Sequence, residues 1–399
     1  MIVAPKVRGF ICTTAHPKGC EKHVTEWIDY VKKQSHLFSD APKKVLIIGA
    51  STGFGLASRI VAAFGVGAKT IGVFFEKPAS EKRTASPGWY NTAAFWKATR
   101  ALGLYANSVN GDAFSDDVKQ KTVKLIQEDW HGGIDLLIYS IASPRRVHPK
   151  TGEIFNSVLK PIGQPYRNKT VDVMTGKVSK VTIEPATEKE IQNTKAVMGG
   201  DDWALWVTVL MENNCLAKEI KTVAFTYIGP KLTQAIYRNG TIGRAKLHLE
   251  ETAKKLDSLL KSKLEGRAII SVNKALVTQA SVAIPVVPLY ISLLYKVMKE
   301  KKLHEACIEQ MWRLFSERLY RAHNIPVDTR GRIRIDDWEM RDDVQAEVKG
   351  LWYSIKSENV DHISDIAGYR KDFYKLFGFG LTGIDYEKDV DIDVAFPLI

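Results

Sequence analysis

The amino-acid sequence predicts an α/β protein with a doubly wound parallel β-sheet. Short runs of consecutive apolar residues alternate with helical periodicities, and a glycine-rich turn joins the first clear run to a helix. Apolar runs without polar alternation are typical of strands that are buried on both faces. Such strands are joined by right-handed crossovers, so we expect helices to cover both faces of the sheet.

The strand and helix patterns occur in two blocks of the chain. In the first block we predict strands at residues 43–48, 69–75, 104–109 and 134–140, with helices at 55–64 and 117–129. In the second block we predict strands at 222–227 and 268–272, with helices at 201–212, 242–264 and within 280–320.

Three segments depart from this alternation. Residues 1–40 form a mixed segment with turn signals at 16–19, and the C-terminal segment is acidic and rich in turn residues. Residues 145–198 are rich in Pro, Gly, Thr and Lys, which predicts a long insertion with one hairpin. Insertions of this length in compact domains are often lids or substrate loops.

Composition limits the class of protein. The chain has 399 residues, of which 45% are hydrophobic and 26% charged, which fits one enlarged globular domain. Its four cysteines are widely spaced without a paired His–Cys cluster, so we predict no metal site and a reducing, cytoplasmic environment. No apolar secretory signal opens the chain. The apolar stretch 280–298 contains Pro285 and Pro288, which favours a buried or substrate-lining helix over a membrane span.

The formal net charge of +12 indicates which partners the protein could bind and says nothing about its fold. A basic surface suits nucleic acid, acidic lipids, a phosphate-rich cofactor or an acidic carrier protein. The positive residues are scattered, and the sequence contains no long Lys/Arg block and no nucleic-acid motif. We therefore predict no nucleic-acid partner, and a merely solvated basic surface remains an alternative.

The glycine-rich turn has the spacing G-x-x-x-G-x-G at residues 49–55. Glycines let the backbone approach a pyrophosphate closely, and the N-terminus of the following helix favours phosphate. This context predicts a Rossmann-type dinucleotide site, in which Ser51 and Thr52 add hydroxyl donors. The alternative is a purely structural glycine turn. The predicted contact residues of the turn are Gly49, Ala50, Ser51, Thr52, Gly53 and Phe54.

Further cofactor contacts are predicted at the ends of the next strands. Glu76 lies 21 residues after Gly55, where a carboxylate binds the adenosine ribose hydroxyls and repels a 2′-phosphate, so NADH is favoured over NADPH. Asp112 ends the third strand and is assigned to adenine, with a helix cap or turn role as its alternative. The remaining predicted contacts near these strand ends are Phe75, Ala113, Ile141 and Ala142.

A tyrosine beside a cation suits the proton donor that a reductase of this fold needs. The short-chain dehydrogenase spacing Y-x-x-x-K occurs at Tyr295 and Lys299, but on a late apolar helix, and we interpret it as a chance match. Tyr237 and Lys246 have the spacing Y-x8-K, and the intervening Asn-Gly turn allows the lysine to fold back. On chemistry alone, a packed tyrosine and a solvated lysine are an equal alternative.

The chain resembles the bacterial trans-2-enoyl reductases of the FabV/Ter family over nearly its whole length. Apart from the Y-x8-K pair, the matching segments are residues 7–12, 16–20, 49–55, 88–91, 111–116, 142–145, 197–200, 274–285 and 377–380. Two positions depart from the family pattern: Phe54 stands where many members carry tyrosine, and Asp201 where glutamate is usual. The cofactor contact at Phe54 therefore differs in detail, and neither departure touches the predicted chemistry.

The resemblance implies NADH-dependent reduction of trans-2-enoyl thioesters of CoA or acyl carrier protein, the last step of fatty acid elongation. It implies that Tyr237 is the proton donor, that Lys246 contacts the cofactor and that Tyr227 contacts the substrate. It also implies a cofactor contact at Leu276, Val277 and Thr278, and a monomer. Within a single domain 1–399, we assign 1–143 to the cofactor, 144–200 to an insertion or lid, and 201–399 to catalysis and substrate binding.

Two other functions fit the same fold. The first is a 3-oxoacyl or other carbonyl reductase, which the Y-x8-K spacing disfavours and which substrate turnover would distinguish. The second is a regulator that binds NADH without turnover. Such a regulator would be indifferent to Tyr237→Phe.

Overall fold

The computed structural model describes residues 1–34, 38, 40–321 and 324–398. The strands are β1 Val7–Arg8, β2 Ile11–Cys12, β3 Lys44–Ile48, β4 Lys69–Phe74, β5 Ala106–Asn110, β6 Ile134–Tyr139, β7 Arg145–Val147, β8 Ile154–Asn156, β9 Tyr166–Val171, β10 Val178–Ile183, β11 Leu216–Thr226, β12 Arg267–Val272 and β13 Arg332–Arg334. The helices are α1 Pro17–Lys32, α2 Gly53–Ile60, α3 Pro87–Ala101, α4 Asp116–Trp130, α5 Glu188–Met198, α6 Asp201–Glu212, α7 Thr241–Leu264, α8 Val287–Glu300, α9 Cys307–Arg313, α10 Asp342–Ser354, α11 Val360–Ile363 and α12 Ile366–Lys375.

A seven-stranded parallel sheet has the strand order β5-β4-β3-β6-β11-β12-β13. The chain moves outward from β3 to β5 on one side and then outward from β6 to β13 on the other. The order therefore reverses between β3 and β6, which is the switch point of a doubly wound sheet. The predicted Rossmann-type fold is confirmed. Strand β13 at the edge and helix α3 were not predicted.

Two hydrophobic cores cover the opposite faces of this sheet. In β3 the side chains of Val45 and Ile47 belong to one core, and those of Leu46 and Ile48 to the other. Because successive side chains of a strand point to opposite faces, the continuous apolar run is buried on both sides. The apolar runs that predicted the strands have this physical origin.

The prediction of one hairpin in residues 145–198 is wrong. Two antiparallel pairs, β7–β8 and β9–β10, are followed by helix α5. A capping box starts this helix, in which Thr187 accepts from the backbone of Glu190 and the Glu190 side chain accepts in return. The sequence signal was present, but the frequent turn residues before it obscured the helix.

The two terminal segments contain more helix than we predicted. Helix α1 begins at Pro17, and the His16 side chain accepts a hydrogen bond from the Gly19 backbone, so the turn signals at 16–19 mark a helix start. The acidic C-terminal segment forms α10, α11 and α12. In α10 the residues Val344, Val348 and Trp352 recur every fourth position and are buried.

None of the helices that the structure describes is long and apolar enough to cross a membrane. Helix α8, within the apolar stretch 280–298, is packed inside one of the two cores. All four cysteines are buried and free. Within the described ranges, no three His, Cys, Asp or Glu side chains are grouped as metal ligands.

Candidate active site

The glycine turn joins β3 to α2 at the switch point of the sheet. Gly49 and Gly53 have φ angles of 89° and 53°, values that favour glycine. A Cβ on Gly49 would lie 2.3 Å from the Ser140 carbonyl oxygen, and one on Gly55 would lie 1.9 Å from the Gly49 oxygen. Thr52, which precedes α2, makes no side-chain capping bond. The tight cradle and the uncapped helix start fit a dinucleotide pyrophosphate.

Glu76 follows β4 and lies beside the glycine turn. The Ser51 hydroxyl donates to Glu76 Oε1 at 2.6 Å, so it is directed at this carboxylate instead of the phosphate position we predicted. Burial raises the pKa of Glu76, while the hydroxyls of Ser51 and Ser86 act in the opposite direction. A Cβ on Gly88 would lie 2.0 Å from Glu76 Oε1, so the start of α3 packs closely on the carboxylate.

The end of β5 supports Glu76 through a residue that sequence reasoning missed. The Asn110 amide accepts from the Glu76 N–H at 2.9 Å and donates to its carbonyl oxygen at 3.0 Å. Asp112 accepts from the Phe114 N–H at 3.0 Å and so forms a turn before α4, as its alternative interpretation proposed. The Ala113 carbonyl accepts from a buried lysine. The signal for Asn110 was only its position at a strand end.

The other predicted cofactor residues surround the same edge of the sheet. The ring of Phe75 is 72% exposed beside Glu76. Ile141 is half-buried and Ala142 exposed directly after β6. Thr278 approaches the turn from the catalytic half, because a Cβ on Gly53 would lie 3.9 Å from its methyl group. The structure therefore brings the turn, the end of β6 and Thr278 together.

The segment that contains Leu276, Val277 and Thr278 is fixed by side chains behind it. The Val277 N–H donates to the Tyr295 hydroxyl at 3.2 Å, and the Thr278 N–H donates to the Ser281 hydroxyl at 2.9 Å. Lys299 pairs with Asp365 at 2.5 Å. The Y-x-x-x-K pair therefore supports this segment and a surface ion pair, in agreement with the chance-match interpretation.

The catalytic residues predicted from the Y-x8-K spacing lie near the end of β11. Tyr237 is 8% exposed, and its ring packs edge-on against that of Tyr227 with 5.0 Å between the ring centroids. Burial raises the pKa of the Tyr237 hydroxyl above its ordinary value, an effect that Arg238 partly offsets. The hydroxyl is therefore protonated at neutral pH, as a proton donor must be.

Lys246 lies in the second turn of α7 and is also buried. Its ammonium donates to the Phe225 carbonyl at 3.2 Å, and burial lowers its pKa to about 8. The ring of Phe225 packs against that of Phe54 on the glycine turn, with 5.9 Å between centroids. Lys246 is thus linked through one residue to the cofactor turn.

Glu339 belongs to this region but had no sequence motif. Glu339, in the turn between β13 and α10, accepts from the Tyr227 hydroxyl at 3.0 Å and from the Tyr290 hydroxyl at 2.7 Å. Glu339 is 0% exposed. Nothing in its neighbours Trp338 and Met340 distinguishes it in the sequence, because its role depends on contacts with residues that are 112 and 49 positions away.

Three family models match successive parts of the chain. The catalytic region of trans-2-enoyl-CoA reductase matches residues 83–320, and the NAD(P)H binding domain of the same enzyme matches residues 2–81. A model described as an enoyl reductase FAD binding domain matches residues 327–390.

Individual relatives match over almost the full length. The enoyl-[acyl-carrier-protein] reductase [NADH] of Coxiella burnetii is 76% identical over 399 residues, which are 100% of this chain and 98% of that protein. The protein of the same name from Flavobacterium johnsoniae is 60% identical and covers 98% of each chain. The crystal structure of Treponema denticola trans-2-enoyl-CoA reductase in complex with NAD is 49% identical, covers 98% of each chain and has a TM-score of 0.94.

The residues matched by the FAD-named model do not fit a flavin dinucleotide. They supply the edge strand β13 and the helices α10 to α12. No glycine-rich turn leads from β13 to α10, and α10 begins with Asp342 and Asp343. Two carboxylates in the first turn oppose a pyrophosphate at that helix start. The segment instead contributes Glu339 to the site described above.

Proposed function

We propose residue roles for this chain, which belongs to the trans-2-enoyl-CoA reductase family and is an NADH-dependent reductase of trans-2-enoyl thioesters. The observation that carries the roles is the pair of tyrosines packed edge-on after β11, together with a buried lysine that binds the Phe225 carbonyl near the end of the same strand and is linked through Phe225 to the glycine turn. Bound NADH supplies a hydride to Cβ of the enoyl thioester. The chain then has to orient the substrate, stabilise charge on its carbonyl oxygen and provide a proton.

Tyr237 is proposed as the proton donor. Its hydroxyl is protonated at neutral pH because burial raises its pKa. It is proposed to donate a hydrogen bond to the thioester oxygen, where negative charge develops, and to supply the proton that completes the saturated product. Tyr227 is proposed to contact the same end of the substrate, since the two rings are packed edge-on.

Lys246 is proposed to hold the nicotinamide ribose and to favour ionisation of Tyr237 as the proton leaves. An ammonium has three donors, and the bond to the Phe225 carbonyl accounts for one of them. Since burial lowers its pKa to about 8, most of the lysine is still charged at neutral pH. A nearby positive charge stabilises a tyrosinate.

The cofactor is proposed to lie along the carboxyl ends of the strands on both sides of the switch point. Its pyrophosphate is assigned to residues 49–54, its adenosine to Phe75, Glu76, Asp112 and Ala113, and its nicotinamide to Ile141, Ala142 and the segment 276–278. Support comes from the glycine cradle and from the approach of Thr278 to Gly53. The Glu76 carboxylate favours ribose hydroxyls over a 2′-phosphate.

The thioester carrier is CoA or acyl carrier protein, and we propose that the net charge of +12 assists either one. CoA phosphates and an acidic carrier protein would use the same positive surface. Helix α8 is proposed to line the acyl channel, with core packing as the alternative. We also propose that the protein is cytoplasmic, which agrees with its four free cysteines, and that it is a monomer. Light scattering on the purified protein measures the monomer mass directly.

The first experiment follows NADH oxidation with crotonyl-CoA, for the native chain and for Tyr237→Phe. We expect rapid oxidation by the native chain and a loss of about 10²- to 10⁴-fold in kcat for the variant. Turnover that survives in the variant would transfer the proton-donor role to another group, with Tyr227 the next to test. If longer enoyl thioesters also gave no turnover with the native chain, the regulator and the carbonyl reductase would replace the proposal.

A further inference from the structure

Glu339 is a fully buried carboxylic acid that joins two parts of the site. Its Oε1 accepts from the hydroxyls of Tyr227 and Tyr290, and its Oε2 accepts from the backbone N–H of Ala275 at 2.7 Å. Gln345 donates to the Glu339 carbonyl at 2.7 Å and to the Tyr290 hydroxyl at 3.1 Å, which fixes the turn that carries the acid. A buried carboxylate needs such donors, and each of these three is a neutral group.

The two ends of this carboxylate hold different functional elements. Oε1 holds Tyr227, the proposed substrate contact, which follows β11. Oε2 holds Ala275, directly before the proposed cofactor segment 276–278. One rigid group therefore sets the distance between a substrate-facing side chain and a cofactor-facing stretch of backbone.

The hydrogen-bond direction also decides what Tyr227 can do. A tyrosine hydroxyl has one proton, and that of Tyr227 is donated to Glu339. Its oxygen then offers only lone pairs to the site. Donation to the thioester oxygen consequently falls to Tyr237, and Tyr227 is left able only to accept a hydrogen bond from a ligand.

We propose that Glu339 is a positioning residue that orients the Tyr227 hydroxyl as an acceptor and at the same time fixes the start of the cofactor segment. The proposal rests on the roles given above to Tyr227 and to residues 276–278. Glu339 itself touches neither substrate nor cofactor in this account. Its effect is transmitted through hydrogen bonds at its two carboxylate oxygens.

The discriminating variant is Glu339→Gln, which keeps the size of the side chain. An amide has an acceptor at one end and donors at the other, so it satisfies either the two tyrosines or the Ala275 N–H, but not both. We expect a 30- to 100-fold decrease in kcat/KM for crotonyl-CoA, mainly in kcat, and a five- to tenfold weaker NADH affinity measured by nucleotide fluorescence. Losses of activity and affinity of this size are typical when one preorganised hydrogen bond is removed.

The matched control is Asp135→Asn, measured in parallel with melting temperatures. The Asp135 carboxylate also holds backbone N–H groups, those of Lys43 and Lys44 at 2.8 Å, but it lies at the opposite, amino end of the strands. We expect its melting temperature to fall while kcat/KM and NADH affinity stay within twofold of native. Equal losses of activity in the two variants would show that Glu339 acts through general stability alone and would overturn the proposal.

A double-mutant cycle separates orientation of Tyr227 from other effects. If Glu339 acts through Tyr227, then at saturating NADH, where the loss of cofactor affinity does not contribute, Glu339→Gln adds less than threefold to the loss caused by Tyr227→Phe. Independent, multiplying effects of the two substitutions would overturn this part.

Tyr290→Phe tests the proposal if Glu339→Gln fails to fold, because it removes one donor from the same carboxylate oxygen. We expect it to lower kcat/KM three- to fivefold, and a native value of kcat/KM would overturn the proposal. If the native chain reduces no enoyl thioester, the proposed function fails by itself, and unchanged NADH affinity in Glu339→Gln then overturns the inference separately.

Discussion

The two halves of the candidate site are constructed by different means. On the cofactor side, a contiguous turn at residues 49–55 presents backbone atoms, and Gly49 and Gly55 leave no room for a side chain. On the catalytic side, buried hydrogen bonds place Tyr227, Lys246 and Glu339, which come from separate segments, and ring packing against Tyr227 places Tyr237. The cofactor half depends on glycines that lack a side chain, and the catalytic half depends on which group donates each hydrogen bond.

This difference predicts different responses to substitution. In the cofactor half, adding one carbon atom is damaging because the backbone must move, whereas in the catalytic half removing one polar atom is damaging because its partner remains buried. Variants of the first kind should therefore change NADH affinity, and those of the second kind should change kcat. Four experiments test this division.

Lys246→Met should produce the largest change. Removal of the ammonium withdraws a charged donor from the proposed ribose and from the developing tyrosinate, so we expect kcat/KM for crotonyl-CoA to fall by about 10²- to 10³-fold. Steady-state kinetics at saturating NADH measures the effect on kcat. A variant that recovers native kcat at high NADH would assign Lys246 to cofactor affinity alone and would break the division between the halves.

Gly55→Ala should weaken NADH binding with little effect on the chemistry that remains. The new Cβ would lie 1.9 Å from the Gly49 oxygen, and an overpacking cost of about 2 kcal/mol corresponds to about 30-fold in affinity. Fluorescence titration gives the dissociation constant. Gly350→Ala is the control, because that glycine is in α10 with open space around its Cβ position, and we expect native affinity there. Native affinity in Gly55→Ala would contradict the cradle.

The pH dependence of NADH use should reveal the buried lysine. Lys246 is charged below a pKa of about 8, so kcat/KM for NADH should fall above that pH by about tenfold per pH unit. Stability should change in the opposite sense. The pKa is lower in the folded state than the ordinary 10.5, so burial of the charge destabilises the fold most below pH 8. The contribution of this group to the free energy of unfolding therefore rises between pH 8 and 10.5.

Lys246→Arg provides the control for that profile, since arginine keeps its charge over the whole range. If the arginine variant retains measurable activity, its alkaline decrease should move beyond pH 10. A decrease that remains near pH 8 would assign the titration to a group other than Lys246.

Glu76→Gln should have the smallest effect. Without the negative charge, repulsion of a 2′-phosphate is reduced, and we expect the ratio of kcat/KM for NADPH to that for NADH to rise about fivefold, which corresponds to about 1 kcal/mol. Glu21→Gln, at a surface acid paired with Lys18 and Lys97, is the control and should leave the ratio unchanged. An unchanged ratio in Glu76→Gln would assign nucleotide preference to other contacts.

The same division explains what the sequence predicted. The central strands were predictable because burial on both faces produces apolar runs, as in β3, and the glycine turn because its function is local to seven residues. Strand β13 was missed since its sequence, Arg-Ile-Arg, is short and charged. Arg332 pairs with Glu250, which is 82 positions earlier in the chain, and with Asp328, which is four positions earlier. The sequence pattern indicates neither pair.

Within the site, the partner toward which a polar side chain is directed was harder to predict than the place of that residue in the fold. Ser51 was placed correctly on the turn, but its hydroxyl is directed at Glu76, a residue 25 positions away. Tyr227 and Tyr237 were assigned through a family resemblance, since a tyrosine and a lysine at this spacing are common in any chain. Glu339 has no signal in the sequence, because the role of a buried acid depends on the residues that surround it in the fold.

The late position of Glu339 in the chain has a consequence for biosynthesis. Residue 339 is 284 residues after Gly55, and ribosomes add about 5 to 20 residues per second. The glycine turn thus emerges many seconds before the acceptor for the Tyr227 hydroxyl exists. A nascent chain that is released in this interval lacks β13 and the turn that carries the acid. Once β12 has been made, such a chain leaves it uncovered as the edge of the sheet, where its unpaired backbone groups can pair with another chain.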